Sequence, residues 1–233
     1  MAKSKEKAKA KESRSVEVVF ILDRSGSMSG LEDDTIGGFN SMLKEQQEDG
    51  GEVIWSTVLF DTRHDVIHNR IPIEKVEPLT EKDYYTRGCT ALLDAVGRAI
   101  HHIGMCHRYA KAEDVPERTV FVITTDGFEN SSREYSYEKV RKMIELETEK
   151  YGWEFIFLGA NMDAVSEAAR IGIRASRSAT YLNDGDGICE NFTTAGRVIS
   201  SMKYEAVMDE GILDGVREDF AKRGGPKGRG RNK

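Results

Sequence analysis

No apolar run in the 233-residue sequence approaches the roughly 20 residues that a membrane-spanning helix needs. The N-terminus, MAKSKEKAKAKES, is charged and leads into no apolar segment of the signal-peptide kind. Only three cysteines occur (Cys89, Cys106 and Cys189), widely spaced and odd in number. That pattern is no disulfide framework and fits a reducing compartment, so a cytoplasmic location is expected. A Walker A motif, a G-x-S-x-G elbow and a solenoid repeat are all missing, which removes the corresponding nucleotide-binding, hydrolase and repeat readings.

What is present is an acidic globule with basic ends. The formal net charge is −6, yet residues 1–15 carry +4 and residues 216–233 carry +5, leaving −15 on the middle. The C-terminal KRGGPKGRGRNK is rich in Gly and has no apolar periodicity, which is the composition of a disordered segment. Residues 1–15 and 211–233 are therefore expected to be basic tails around one domain, residues 16–210. Such tails solubilise, and Arg-Gly segments also touch nucleic acid.

Within the domain, short apolar runs alternate with helical patterns, the signature of a mostly parallel sheet flanked by helices. Strands are expected at Ser15–Leu22, Glu52–Phe60, Thr119–Thr125 and Trp153–Ala160. Asp65–Ile73 reads as an edge strand because Pro72 limits ladder pairing, and RSATYL as a weaker last strand. Helices are expected over Leu31–Asp49, Ala91–Tyr109 and Ser136–Gly152, at DAVSEAARIG and finally over Asn191–Met208. Ile36, Phe39, Met42 and Leu43 mark the buried face of the first helix; Leu92, Val96, Ala99 and Ile103 mark that of the second. Gly37 and Gly38 interrupt the first helix and suggest close packing or a bend.

The chemistry concentrates where strands end. VVFILDRSGSMSG delivers Asp23, Ser25 and Ser27 to one turn; RGCTALLDAV places Thr90 before a helix; FVITTDGFEN places Asp126 after a strand. In an open sheet such positions line the crevice beyond the carboxyl ends of the strands. Each piece alone has ordinary readings: Ser25 or Ser27 as a helix cap, TDG as a turn, Asp23 as a phosphotransferase nucleophile. A haloacid-dehalogenase-like phosphatase, however, needs a second acid two residues after the first, where this chain has Ser25. Hard oxygen ligands of this kind suit Mg²⁺, and also Mn²⁺ or Ca²⁺, better than zinc.

FILDRSGSMSG, YYTRGCTALLDAV and VITTDGFEN together resemble the three loops of a von Willebrand factor A (vWA) domain with its metal-ion-dependent adhesion site (MIDAS). The resemblance covers about residues 16–210 and implies a Rossmann-like three-layer α/β/α fold, a mostly parallel sheet with one antiparallel edge strand. It implies direct coordination by Ser25 and Ser27, by Thr90 when a ligand is engaged, and by Asp23 and Asp126 directly or through water. A cation held mainly by neutral hydroxyls keeps uncompensated charge and favours an Asp or Glu from a partner protein. The expected function is thus a metal-dependent binding module without catalysis of its own. A nucleic-acid-associated scaffold using the basic tails is the alternative. In the family the last helix also moves with metal coordination.

Three further features stand out. Tyr84, Tyr85 and Arg87 form an aromatic-plus-Arg cluster before Thr90, either for partner recognition or packed against Pro78 and Leu79. In HHIGMCH, His102 and Cys106 are four apart on a helix, but no further ligand is suitably spaced, so a structural or surface role is expected. NDGDGICEN lacks the Gly and Glu an EF-hand requires and reads as a turn.

Overall fold

A computed structural model describes residues 13–160 and 162–224. Its centre is a six-stranded sheet in the order β3-β2-β1-β4-β5-β6. The strands are β1 (Val16–Asp23), β2 (Val53–Phe60), β3 (His64–Pro72), β4 (Arg118–Thr125), β5 (Glu154–Ala160) and β6 (Ser178–Tyr181). All pairings are parallel except that of β3 on β2, so the strand carrying Pro72 is the antiparallel edge. Every residue of β1 is buried, as expected of a central strand covered on both faces.

Alternation along β1 divides the core. Val16, Val18, Phe20 and Leu22 face one layer, built from α1 (Glu32–Asp49) and α5 (Gly185–Tyr204). Val19 and Ile21 face the other, built from α2 (Leu92–Tyr109), α3 (Tyr137–Tyr151) and α4 (Ala164–Arg170). The expected stripes face the core: Phe39, Met42 and Leu43 on α1 and Leu92, Val96, Ala99 and Ile103 on α2 are buried, while Ile36 is half-buried against the same cluster as Phe39. Phe20 sits among Phe39, Trp55 and Phe192 with ring centroids 5.6–6.1 Å away. Gly38 explains the close approach of α1 to α5, since a Cβ there would lie 2.4 Å from the Phe192 ring, whereas Gly37 faces open space. Two capped ends match their sequence signals: Ser136 accepts from Lys139 N, and Gly152 ends α3 with φ 67°.

The C-terminal third departs from expectation. The last long helix begins at Gly185, not Asn191, because Asp184 accepts from Gly187 N and caps it inside what reads as a turn. A further helix, α6 (Asp214–Arg223), occupies residues assigned to the basic tail. Leu213 and Val216 are buried in the core, too short an apolar pattern to register as a helix. Its basic side chains are engaged at home: Arg217 donates to the carbonyls of Ala175, Ser176 and Ser178, Lys222 to Glu218, and Arg223 to Asp184 and Asp219. At the other end Arg14 is docked, its amide on Lys203 O at 3.0 Å. The remaining parts of both basic tails, residues 1–12 and 225–233, lie outside the described residues. None of the described helices is long and apolar enough to cross a membrane.

Candidate metal centre

The strand order itself makes the crevice. The chain leaves β1 toward β2 and β3, then returns to the opposite side of β1 with β4, so loops diverge between the β1 and β4 ends. Asp23 ends β1 and Asp126 directly follows β4. The loop before α2 brings Thr90 to Ser25, in the turn after β1.

Four of the five candidate side chains form one hydrogen-bonded row. Thr90 Oγ1 donates to Ser25 Oγ at 3.1 Å, Ser25 and Ser27 hydroxyls are 3.0 Å apart, and Ser27 Oγ donates to Asp126 Oδ1 at 2.5 Å. A hydroxyl has one proton, so Ser27, already donating to Asp126, accepts from Ser25. The row thus runs in one direction and ends on a carboxylate. Asp23 braces it from below: Oδ1 accepts from Ser25 N at 2.7 Å and Oδ2 from Thr125 Oγ1 at 2.6 Å.

Both carboxylates are poorly hydrated. Burial pushes the Asp23 carboxyl up to about 6, against the lowering hydrogen bonds from Thr125 and Ser25 and with the nearby Asp126 charge adding to the rise. Burial also raises Asp126, against hydrogen bonds from Ser27 and Asn183. Two buried acids beside three hydroxyls form an environment that a hard divalent cation would relieve. Gly127 leaves the space open, because a Cβ there would lie 2.8 Å from Thr90 Oγ1 and 3.3 Å from Ser27 Oγ. The donor set fits Mg²⁺, Mn²⁺ or Ca²⁺.

Neighbouring residues hold the loops. Thr90 N donates to Asn130 Oδ1 at 3.0 Å and Asn130 N returns a bond to Thr90 O, stitching the second loop to the third. Glu129 accepts from Leu93 N in the first turn of α2 and from Ser131 N and Ser132 N. Arg24, next to Asp23 in the chain, is buried, its guanidinium paired with Asp61 at 3.0 Å and with Asp65. None of these partners carries a signal in the sequence beyond being polar.

The recognition cluster needs correction. Tyr84 is 1% exposed, and its OH donates to Asp23 O at 2.7 Å, so it supports the first loop instead of meeting a partner. Arg87 is committed to Asp61 at 2.7 Å and Asp65 at 2.9 Å. Tyr85 alone of the three is 43% exposed, lying over the Arg24 and Arg87 guanidinia at 5.4 and 5.1 Å. Phe128, an aromatic that no sequence signal singles out, is also exposed beside Gly127.

His102 lies 2.7 Å from Asn69 Oδ1 and 3.9 Å from Cys106, while His107 Nε2 is 2.6 Å from the buried Glu17 carboxylate. No group of three or more His, Cys, Asp or Glu converges on a common point among the described residues, so the HHIGMCH segment builds no such centre. The candidate centre differs in kind, with hydroxyls outnumbering carboxylates.

No protein-family model and no curated protein matches the sequence. Solved structures do match in fold. A PilB minor pilin from Streptococcus sanguinis aligns with TM-score 0.59 and 14% identity over 82% of this chain and 63% of that one. A von Willebrand factor type A protein from Catenulispora acidiphila aligns with TM-score 0.54 and 16% identity over 82% and 43%. Proximal thread matrix protein 1 of the mussel byssus, in a structure described as having a zinc-occupied MIDAS motif, aligns with TM-score 0.53 and 17% identity over 79% and 45%. The chain thus spans about half the length of these neighbours. At such identities the likeness establishes the fold: a vWA-like, three-layer α/β/α domain.

Proposed function

We propose that the chain is a metal-dependent protein-binding module. Asp23, Ser25, Ser27, Thr90 and Asp126 would hold Mg²⁺, and an Asp or Glu of a partner protein would complete its coordination. The observation that carries this reading is the row from Thr90 through Ser25 and Ser27 to Asp126, drawn from three loops and braced by Asp23. A bound Mg²⁺ would supply a hard, incompletely neutralised positive charge for an incoming carboxylate.

The chain's own residues do the remaining work. The hydroxyls present neutral oxygens, Asp23 orients the Ser25 backbone, and Tyr85 and Phe128 offer exposed aromatic surface on the loops at this end of the sheet. Catalysis is not part of the proposal, since Ser25 stands where a phosphotransferase would need its second acid. The three unpaired thiols support a reducing compartment such as the cytoplasm.

Isothermal titration with Mg²⁺ tests the metal, and affinity capture in Mg²⁺, in EDTA and with Asp23→Ala tests the partner. Binding of one ion, together with a partner held in Mg²⁺ and lost under the other two conditions, is expected. An identical captured set in all three sinks the metal-bridged reading. Loss of captured nucleic acid on removing residues 225–233, with no metal dependence, would favour the scaffold alternative.

A further inference from the structure

The loop between β6 and α5 reaches the same centre. Asn183 Nδ2 donates to Asp126 Oδ2 at 3.0 Å, while Ser27 holds the other oxygen, Oδ1. Asp126 is therefore held by two segments, the loop after β1 and the loop that leads into the last long helix. Asn183 Oδ1 is buried and finds no hydrogen-bond partner among the described residues. A buried amide oxygen left unmatched opposes folding, and such groups persist where another role retains them. As a neutral hard oxygen it is of the type that Mg²⁺ and Ca²⁺ sites recruit.

Asn183 is fixed from behind. Its neighbour Asp184 caps α5 through Gly187 N at 2.8 Å and takes the Arg223 guanidinium of α6 on both oxygens, at 3.1 and 2.9 Å. Leu182 is wedged on both sides: a Cβ on Gly187 would lie 2.0 Å from its carbonyl oxygen, and one on Gly224 would lie 2.1 Å from its Cδ2. The segment cannot carry the asparagine away from Asp126 without disturbing the α5 cap and the α6 end.

We propose that Asn183 is a positioning residue of the metal centre, with Nδ2 orienting the Asp126 carboxylate and Oδ1 adding a neutral oxygen to the cation's surroundings. This rests on the metal reading above and adds a fourth chain segment to its three loops.

Mg²⁺ titration of the full chain tests it, with wild type, Asp23→Ala, Asn183→Ala and Asn183→Asp compared by calorimetry and by melting in Mg²⁺ and in EDTA. Asn183→Ala should weaken Mg²⁺ binding by about tenfold, the usual scale for a residue that orients a ligand. Asn183→Asp sets a carboxylate against Asp126, so it should melt lower in EDTA and show a larger Mg²⁺-induced rise than wild type. An Asn183→Ala affinity equal to wild type overturns the inference and leaves the metal reading standing. An Asn183→Asp rise no larger than wild type overturns it too, even should the alanine variant fail to fold. Absence of Mg²⁺ binding by wild type overturns the metal reading itself.

Discussion

Ser27 Oγ lies 2.5 Å from Asp126 Oδ1, joining residues 99 positions apart in the chain. The bond closes the gap between the β1 and β4 loops and ends the row of hydroxyl donors that begins at Thr90. It also places a neutral oxygen against a buried acid, the combination on which the metal proposal turns.

Ser27→Ala removes that link and one candidate ligand together. With Mg²⁺ at about 100 times its dissociation constant, wild type should gain about 2.7 kcal/mol of stability. The variant should gain almost none at the same concentration, as read by thermal melting with and without EDTA. A full gain in the variant would remove Ser27 from the ligand set.

Gly127→Ala tests the open space from another side. Its Cβ would meet Thr90 Oγ1 at 2.8 Å and Ser27 Oγ at 3.3 Å, so two hydroxyls must shift. Mg²⁺ affinity should fall at least about tenfold, since ligand placement is what a hard ion is sensitive to. Calorimetry reads the change directly.

Gly37 and Gly38 are adjacent in α1 and should respond with opposite sign. Gly37 faces open space, so Gly37→Ala should stabilise by about 1 kcal/mol through helix propensity. Gly38→Ala drives a Cβ to 2.4 Å from Phe192 and should cost about 1–3 kcal/mol by overpacking. Urea denaturation of the two variants separates the effects.

Glu17 predicts a pH dependence. It is fully buried in β1; burial raises its carboxyl pKa, but hydrogen bonds from His107 and Arg70 outweigh that and hold it below the ordinary 4.5. An acid with a lowered folded value stabilises fully above its unfolded value and loses that contribution as pH falls through the folded one. Glu17→Gln should therefore cost about 3 kcal/mol near neutral pH, by leaving Arg70 unpaired. Its penalty should shrink as pH drops below 4.5, as followed by urea denaturation across that range.

Tyr84 and Tyr85 differ by one position and should behave differently. Tyr84→Phe deletes the hydroxyl on Asp23 O and should cost about 1 kcal/mol of stability. Tyr85→Ala should leave stability within about 0.5 kcal/mol, as surface changes do, while weakening partner capture. Equal capture by the Tyr85 variant would take it off the recognition surface.

Much of this was legible in the sequence because it is local. The apolar run VVFIL ending in Asp23 reads as a buried strand delivering a carboxylate, whatever surrounds it. The same holds for Thr119–Thr125 before Asp126 and for the stripe on α2. Legibility fails where a short apolar pattern depends on a partner surface, as with Leu213 and Val216 at the start of α6. It fails likewise for polar residues whose meaning lies in what opposes them: Tyr84 reads as a recognition residue until Asp23 O is found beside it.

The sequence by itself determined the alternation of elements and the placement of Asp23, Ser25, Ser27, Thr90 and Asp126 at their ends, because periodicity and turn chemistry act over a few residues. The tertiary structure alone decided that β4 lies beside β1, that Tyr84 turns inward, that Arg24 and Glu17 find their counter-charges and that Asn183 reaches Asp126. Those outcomes depend on which distant segments pack together. A buried polar group takes whatever partner the packing sets opposite it.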